Sequence, residues 1–249
     1  MILEECDMPR REFAGKTDIG LKRKNNEDAF FISPDQYFCL AADGVGGAAA
    51  GELASKIFTE STIEAFAGNS SRSGKEIQHR VQKAFRLAND NILKHVTQNP
   101  NHKGMGCTAE LLAFSDEGFI IGHIGDSRTY CLRNGQLEQL TQDHTFVQQQ
   151  VEAGLITRDK IKQHPLRNVI FRSLGLTKEI ELDLLNGIAR PQDFFLLCSD
   201  GLTDMVPDDQ IRDILCSEID IDRKVEELIE TAKLAGGKDN ITVVLAAVY

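Results

Sequence analysis

Short apolar runs that stop at an aspartate recur along this chain, and they constrain its fold more than any other feature. Phe38–Ala42 stops at Asp43-Gly44, Phe119–Gly125 at Asp126-Ser127, and Phe194–Ser199 at Asp200-Gly201. In Asn25-Asn26-Glu27-Asp28 the order reverses, with the carboxylates just ahead of the apolar Ala29–Ile32. Asp239 lies in Gly-Gly-Lys-Asp-Asn, directly ahead of Ile241–Leu245. Runs of this length, bounded by glycine and polar residues, read as β-strands. Strand ends hold side chains rigidly at the rim of a sheet, so carboxylates at several of them suit a hard-cation site.

The remaining pattern places these strands in layers. Strand signals lie at 12–20, 28–33 and 37–42, followed by helical periodicity over 50–67 and 74–98. The second helix carries Ile77, Val81, Ala84, Phe85, Ala88, Ile92 and Val96 on one stripe. A meander follows over 108–114, 119–124, 128–132 and 136–140, with Asn134-Gly135 as a strong hairpin signal. Helices are predicted over 207–217 and 221–235, and a last strand over 241–248. Segregated strands and helices predict an α+β fold, a four-layer α-β-β-α sandwich with two central antiparallel sheets and helices outside. The stretch 144–178 breaks the rhythm and reads as a helical flap inserted into a single domain spanning 1–249.

Composition narrows the classes of function. A chain of 249 residues can bury a substantial core. Its 28 basic and 38 acidic residues give a formal charge of −10, which argues against a nucleic-acid-binding surface. The six cysteines are spread singly, four of them in or beside apolar runs, as reduced packing residues are. No apolar run approaches the ~20 residues of a membrane span, and the acidic start lacks the features of a signal peptide. A cytoplasmic protein is expected, with no nucleic-acid or membrane partner.

Two negative charges about 4 Å apart repel by ~4 kcal/mol at an effective dielectric of 20. Several such pairs together rival the ~5–15 kcal/mol net stability of a domain, so converging carboxylates need cations or protons. Oxygen-only ligands suit Mg²⁺ or Mn²⁺, whereas zinc would recruit Cys or His. Spacing alone leaves convergence open, because a strand-end Asp-Gly is also an ordinary turn.

The ordered motifs carry a resemblance. Thr17–Phe30 resembles the opening motif of the type 2C metal-dependent serine/threonine protein phosphatases, of the bacterial type. Ala42-Asp43-Gly44-Val45-Gly46-Gly47 with Gly51–Ser55 is similar to the second motif. Gly106-Cys107-Thr108, Gly125–Arg128, Leu140–His144, Cys198–Leu202 and Lys238–Thr242 follow in the family's order, so the resemblance spans roughly 12–249.

The resemblance implies two or three Mn²⁺ or Mg²⁺ ions. It makes Asp43 the bridge between two of them, with the Gly44 carbonyl as a further ligand and Asp200 and Asp239 on the first metal. Glu27 and Asp28 would hold the second metal and its waters, and Asp126 a third, weaker one. Arg23 would bind substrate phosphate, and a hydroxide between the metals would attack phosphorus directly. The implied partners are phosphoprotein substrates, a serine/threonine protein kinase among them, with a monomeric enzyme. His144 reads as orienting the entry to the flap, and His164 as a flap residue that could contact substrate.

Departures from the pattern matter too. Val45 stands where eukaryotic members carry a histidine general acid, and Ala48 where bacterial relatives carry histidine. Two other readings stay open at this point. One is a pseudophosphatase that binds phosphoproteins as a regulator; the other is a phosphatase of anti-sigma-factor partners, against which Arg23 and the flap argue.

Overall fold

The computed structural model describes residues 10–33, 35, 37–46, 50–68 and 71–249. Its strands are β1 (Arg11–Asp18), β2 (Ala29–Ser33), β3 (Phe38–Ala42), β4 (Gly44–Val45), β5 (Gly106–Cys107), β6 (Ala109–Ser115), β7 (Gly118–Ile124), β8 (Arg128–Arg133), β9 (Gln136–Gln139), β10 (Asp183–Gly187), β11 (Phe194–Cys198) and β12 (Ile241–Val248). The α-helices are α1 (Ala50–Phe66), α2 (Gly74–Gln98), α3 (Phe146–Glu152), α4 (Asp200–Thr203), α5 (Asp208–Cys216) and α6 (Ile221–Leu234).

Two five-stranded sheets form, ordered β1-β12-β11-β8-β9 and β10-β7-β6-β3-β2, and β4 pairs with β5 separately. Every strand pairing is antiparallel. The apolar runs explain the stacking. Along β12, Ile241, Val243, Leu245 and Ala247 pack with α5 and α6, while Val244, Ala246 and Val248 enter the space between the sheets. Along β3, Phe38, Leu40 and Ala42 pack under α1 and α2, while Cys39 and Ala41 face the other sheet. A strand covered on both faces has no solvent side, so its sequence is continuously apolar rather than alternating. Three apolar interfaces thus separate four layers, the expected α-β-β-α sandwich.

Local chemistry sets the element ends. The Ser73 hydroxyl accepts the Glu76 N–H at the start of α2, and the Asp220 carboxylate accepts the Arg223 N–H at the start of α6. Asn134 and Gly135 adopt φ of 51° and 74°, as a tight two-residue hairpin requires. The edge strand β10 carries no prediction from the sequence. Asp183-Leu184-Leu185-Asn186-Gly187 lies half-buried against β7 and lacks an apolar row.

The segment 144–178 is less helical than its amphipathic start suggests. It holds α3 and one 3₁₀ stretch, Arg158–Gln163, and is otherwise turns. Bridges between Thr145 and Ile170 and between Cys107 and Leu174 close its base. The described cysteines are unbridged; Cys39, Cys107, Cys131 and Cys198 are buried, and Cys216 is exposed. Cys6, Gly47 and Ala48 lie outside the described residues. Among the described residues no helix is long and apolar enough to cross a membrane.

Candidate metal centre

The strand-end carboxylates meet at one rim of the sandwich. A cleft of about 380 Å³ is lined by Arg23, Lys24, Glu27, Asp43, Gly44, Asp126, Asp200 and Asp239 among others. Val45 lines it as well, as do Asn168 and Ile170 of the flap. His164 is not among the lining residues: its ring lies 6.0 Å from that of Phe146, and its Nδ1 accepts the Leu166 N–H.

Asp43 follows β3 directly and is fixed through its backbone. Its N–H donates to Thr108 Oγ1 at 2.8 Å, and its carbonyl accepts the Thr108 N–H at 2.8 Å. Thr108 Oγ1 is in turn 2.7 Å from Ser127 Oγ, beside Asp126. Gly44 is required by crowding, because a Cβ there would stand 2.2 Å from the Gly51 carbonyl oxygen. That approach brings the start of α1 against the Glu27 carboxylate.

Asp28 joins the rim to the other sheet. Its Oδ2 accepts the Ser199 hydroxyl at 2.8 Å and the Thr242 hydroxyl at 2.7 Å, while its Oδ1 is buried without a partner. Asp200 opens α4 just after β11, and its Oδ1 is likewise buried and unpartnered. Gly201 then packs so tightly on residue 240 that a Cβ would come within 1.8 Å of the Asn240 carbonyl oxygen. Arg23 reaches over the mouth, its Nη2 2.6 Å from Asp239 Oδ2.

Burial and mutual repulsion act together on these carboxyls. Burial raises Asp28 to about 6, against the opposing hydrogen bonds from Thr242 and Ser199. Burial and the charges of Asp28, Asp200, Asp126 and Asp239 hold Asp43 well above the ordinary carboxyl range. Asp200 is raised by burial and then by Asp126, Asp204 and Asp239. Burial, with Asp143 next, lifts Asp126 to about 7.

Buried carboxylate oxygens without hydrogen-bond partners, in a crowded anionic cleft, suit cation ligation. Among the described residues no three Asp, Glu, His or Cys side chains stand close enough to enclose an ion without rearranging. The fit therefore rests on donor type, orphaned oxygens and the shared cleft. An all-oxygen set suits Mg²⁺ or Mn²⁺.

The residues that assemble the cleft were partly invisible in the sequence. Asn240 accepts the Glu27 N–H at 2.8 Å and donates to the Ile19 and Asn25 carbonyls at 3.0 and 2.9 Å, so one amide clamps the whole Arg23–Glu27 loop. Nothing in Asp239-Asn240 announces that role. Asp204, whose charge acts on both Asp126 and Asp200, follows Asp200 by four residues on one helical turn. That spacing was readable.

A sandwich that gathers oxygen donors at one rim defines the class as a divalent-cation-dependent domain. The family model "Protein phosphatase 2C" matches residues 21–245. Protein phosphatase PhpP of Streptococcus pneumoniae is 36% identical over 234 residues, 93% of this chain and 95% of that protein. The crystal structure of the Mycobacterium tuberculosis serine/threonine phosphatase PstP/Ppp superposes with a TM-score of 0.89 at 38% identity, covering 95% of this chain and 98% of that one. The catalytic domain of PstP in complex with two manganese ions gives a TM-score of 0.83 at 36% identity, over 96% and 98%. The chain belongs to the protein phosphatase 2C family.

Proposed function

We propose that this protein is a metal-dependent phosphatase that removes phosphate from phosphoserine and phosphothreonine on proteins. The observation that carries the reading is the cleft itself, where Asp43, Asp200 and Asp239 face Arg23. Family membership and the manganese-bound relative support a divalent cofactor.

In this reading Asp43, the Gly44 carbonyl, Asp200 and Asp239 would serve as ligands of the first ion, with Asp43 shared with the second. Glu27 and Asp28 would hold the second ion and its waters. Asp126 with Asp200 would hold a third, weaker-binding ion. Bound there, the ions supply an activated water and positive charge for an in-line displacement at phosphorus. Arg23 orients the monoester, because a guanidinium fork matches phosphate oxygens. Asn240 holds Arg23 and Glu27 in register through their loop. Val45 has no proton to give, so the leaving alkoxide would take its proton from a water in the cleft or from a flap group.

The reading treats residues 1–249 as one phosphatase domain, with 144–178 as its flap. The reading takes a monomer as the working unit. The unbridged cysteines support a reducing, cytoplasmic setting. Phosphoproteins are the substrates, and a serine/threonine protein kinase is taken as one of them. His164, a flap residue, remains a candidate substrate contact. The intact carboxylate set counts against a pseudophosphatase. Phosphate release from a phosphothreonine peptide, measured with Mn²⁺ and again after chelation, tests the proposal: metal-dependent turnover is expected, and none in saturating Mn²⁺ would sink it.

A further inference from the structure

The flap concentrates positive charge on a chain that is strongly negative. Residues 158–167 contain Arg158, Lys160, Lys162 and Arg167 against one acid, Asp159, while the whole chain carries −10. All four cations are exposed. Among the described residues none of them has an ion-pair partner, whereas Arg172 at the flap's far end takes both Glu181 and Asp183. Four cations against one acid within ten residues leave a local excess of positive charge, not a balanced solvated surface.

Their position is held. Arg167 N–H donates to the His164 carbonyl at 3.2 Å, Val169 N–H to Leu166 at 3.2 Å, and Phe146 N–H to Val169 at 2.8 Å. Arg167 is followed directly by Asn168, which with Ile170 lines the carboxylate cleft, so one end of the cationic run adjoins its mouth. Lys24 lines the same cleft. Leu166 and Val169 are each 45% exposed beside the cations, offering apolar contact along the same path.

We propose that this ridge is a substrate-docking surface for phosphopeptide segments rich in aspartate, glutamate or further phosphate. The proposal rests on the phosphatase reading and names its substrate class. Charge complementarity selects the partner: a basic segment would meet like charge along the flap, and an acidic one meets opposite charge there. Beyond the Debye length of ~8 Å in physiological salt the chain's overall negative charge is screened, and the ridge governs the final approach. Each exposed pair contributes a factor of roughly 1.5 to 5, so two or three pairs near the middle of that range together give about a five- to twentyfold preference.

The test uses two phosphothreonine peptides that differ only in acidic or lysine-rich flanks, with p-nitrophenyl phosphate as the flank-free substrate. Wild-type protein is expected to favour the acidic peptide about five- to twentyfold in kcat/KM, mostly through KM, and to lose the preference in 0.5 M salt. The variant Arg158→Gln/Lys160→Gln/Lys162→Gln/Arg167→Gln should lose that preference while keeping p-nitrophenyl phosphate turnover, with Arg167→Gln alone intermediate. Equal use of both peptides by the wild type, or a preference untouched in the variants, overturns the docking surface. If p-nitrophenyl phosphate is not hydrolysed at all, the phosphatase reading fails instead. Fluorescence anisotropy with the same peptides then still decides whether the ridge binds acidic flanks.

Discussion

Arg23 Nη2 donates to Asp239 Oδ2 at 2.6 Å, joining two residues 216 positions apart across the mouth of the cleft. Each partner has another task in the proposed chemistry, Asp239 toward a cation and Arg23 toward phosphate. The pair is exposed, with side-chain accessibilities of 53% and 31%, so opening it costs no more than ~1 kcal/mol.

Arg23→Ala should therefore leave thermal stability nearly unchanged and act on phosphate recognition. We expect KM for a phosphothreonine peptide to rise about tenfold with a smaller fall in kcat, measured by steady-state phosphate release. A changed melting temperature with unchanged KM would contradict this.

Asp43→Asn and Asp200→Asn should each lower kcat by about three orders of magnitude or more while the fold survives. Each also removes a negative charge from a buried, mutually repelling set. Without divalent cations these variants should melt at or above the wild-type temperature, and Mn²⁺ should stabilise only the wild type strongly. Thermal melts in chelator and in Mn²⁺ read both effects.

Asn240→Ala removes the clamp on the Arg23–Glu27 loop and leaves the Glu27 N–H and two carbonyls without their partner. The expected cost is about 1–3 kcal/mol in denaturant unfolding, together with weaker Mn²⁺ binding by calorimetry. Unchanged values for both would show that the amide only fills space.

His144 gives the protein a pH limit on the acid side. Its Nδ1 accepts the Gly125 N–H at 3.0 Å, beside Asp126, and its Nε2 lies 3.2 Å from Asp183 and 3.1 Å from Arg172. Burial, then the charge of the neighbouring His123, lowers its pKa to about 4, against the pull of Asp183. The folded value lies below the ordinary 6.5, so the unfolded chain binds the proton more readily. The stabilisation is complete above about pH 6.5 and is lost as pH falls toward 4, about 3 kcal/mol in all. Unfolding experiments between pH 7 and 4 should show that loss reduced in His144→Asn.

How much of this was legible in sequence follows from what each feature needs. Runs such as Phe38–Ala42 and Ile241–Val248 announce themselves because two covered faces demand continuous apolar residues. The stripe from Ile77 to Ile92 does the same for α2. β10 was silent because an edge strand can be half polar. The convergence of Asp28, Asp43, Asp126, Asp200 and Asp239 depends on sheet order, which no local spacing encodes; only the family's motif order suggested it. Asn240 and the Thr108–Ser127 contact stayed hidden because their partners lie far away in sequence. The flap's exposed cations were readable as charge, but their place beside the cleft was not.

Crystals soaked in Mn²⁺ and measured at the manganese absorption edge would test the central claim most directly. Two anomalous peaks about 3.5–4 Å apart should appear in the cleft, both touching Asp43, with Asp200 and Asp239 on one and the Glu27–Asp28 pair nearest the other. A third, weaker peak is expected at Asp126. Peaks elsewhere, or a cleft without manganese while the protein remains folded, would contradict the account.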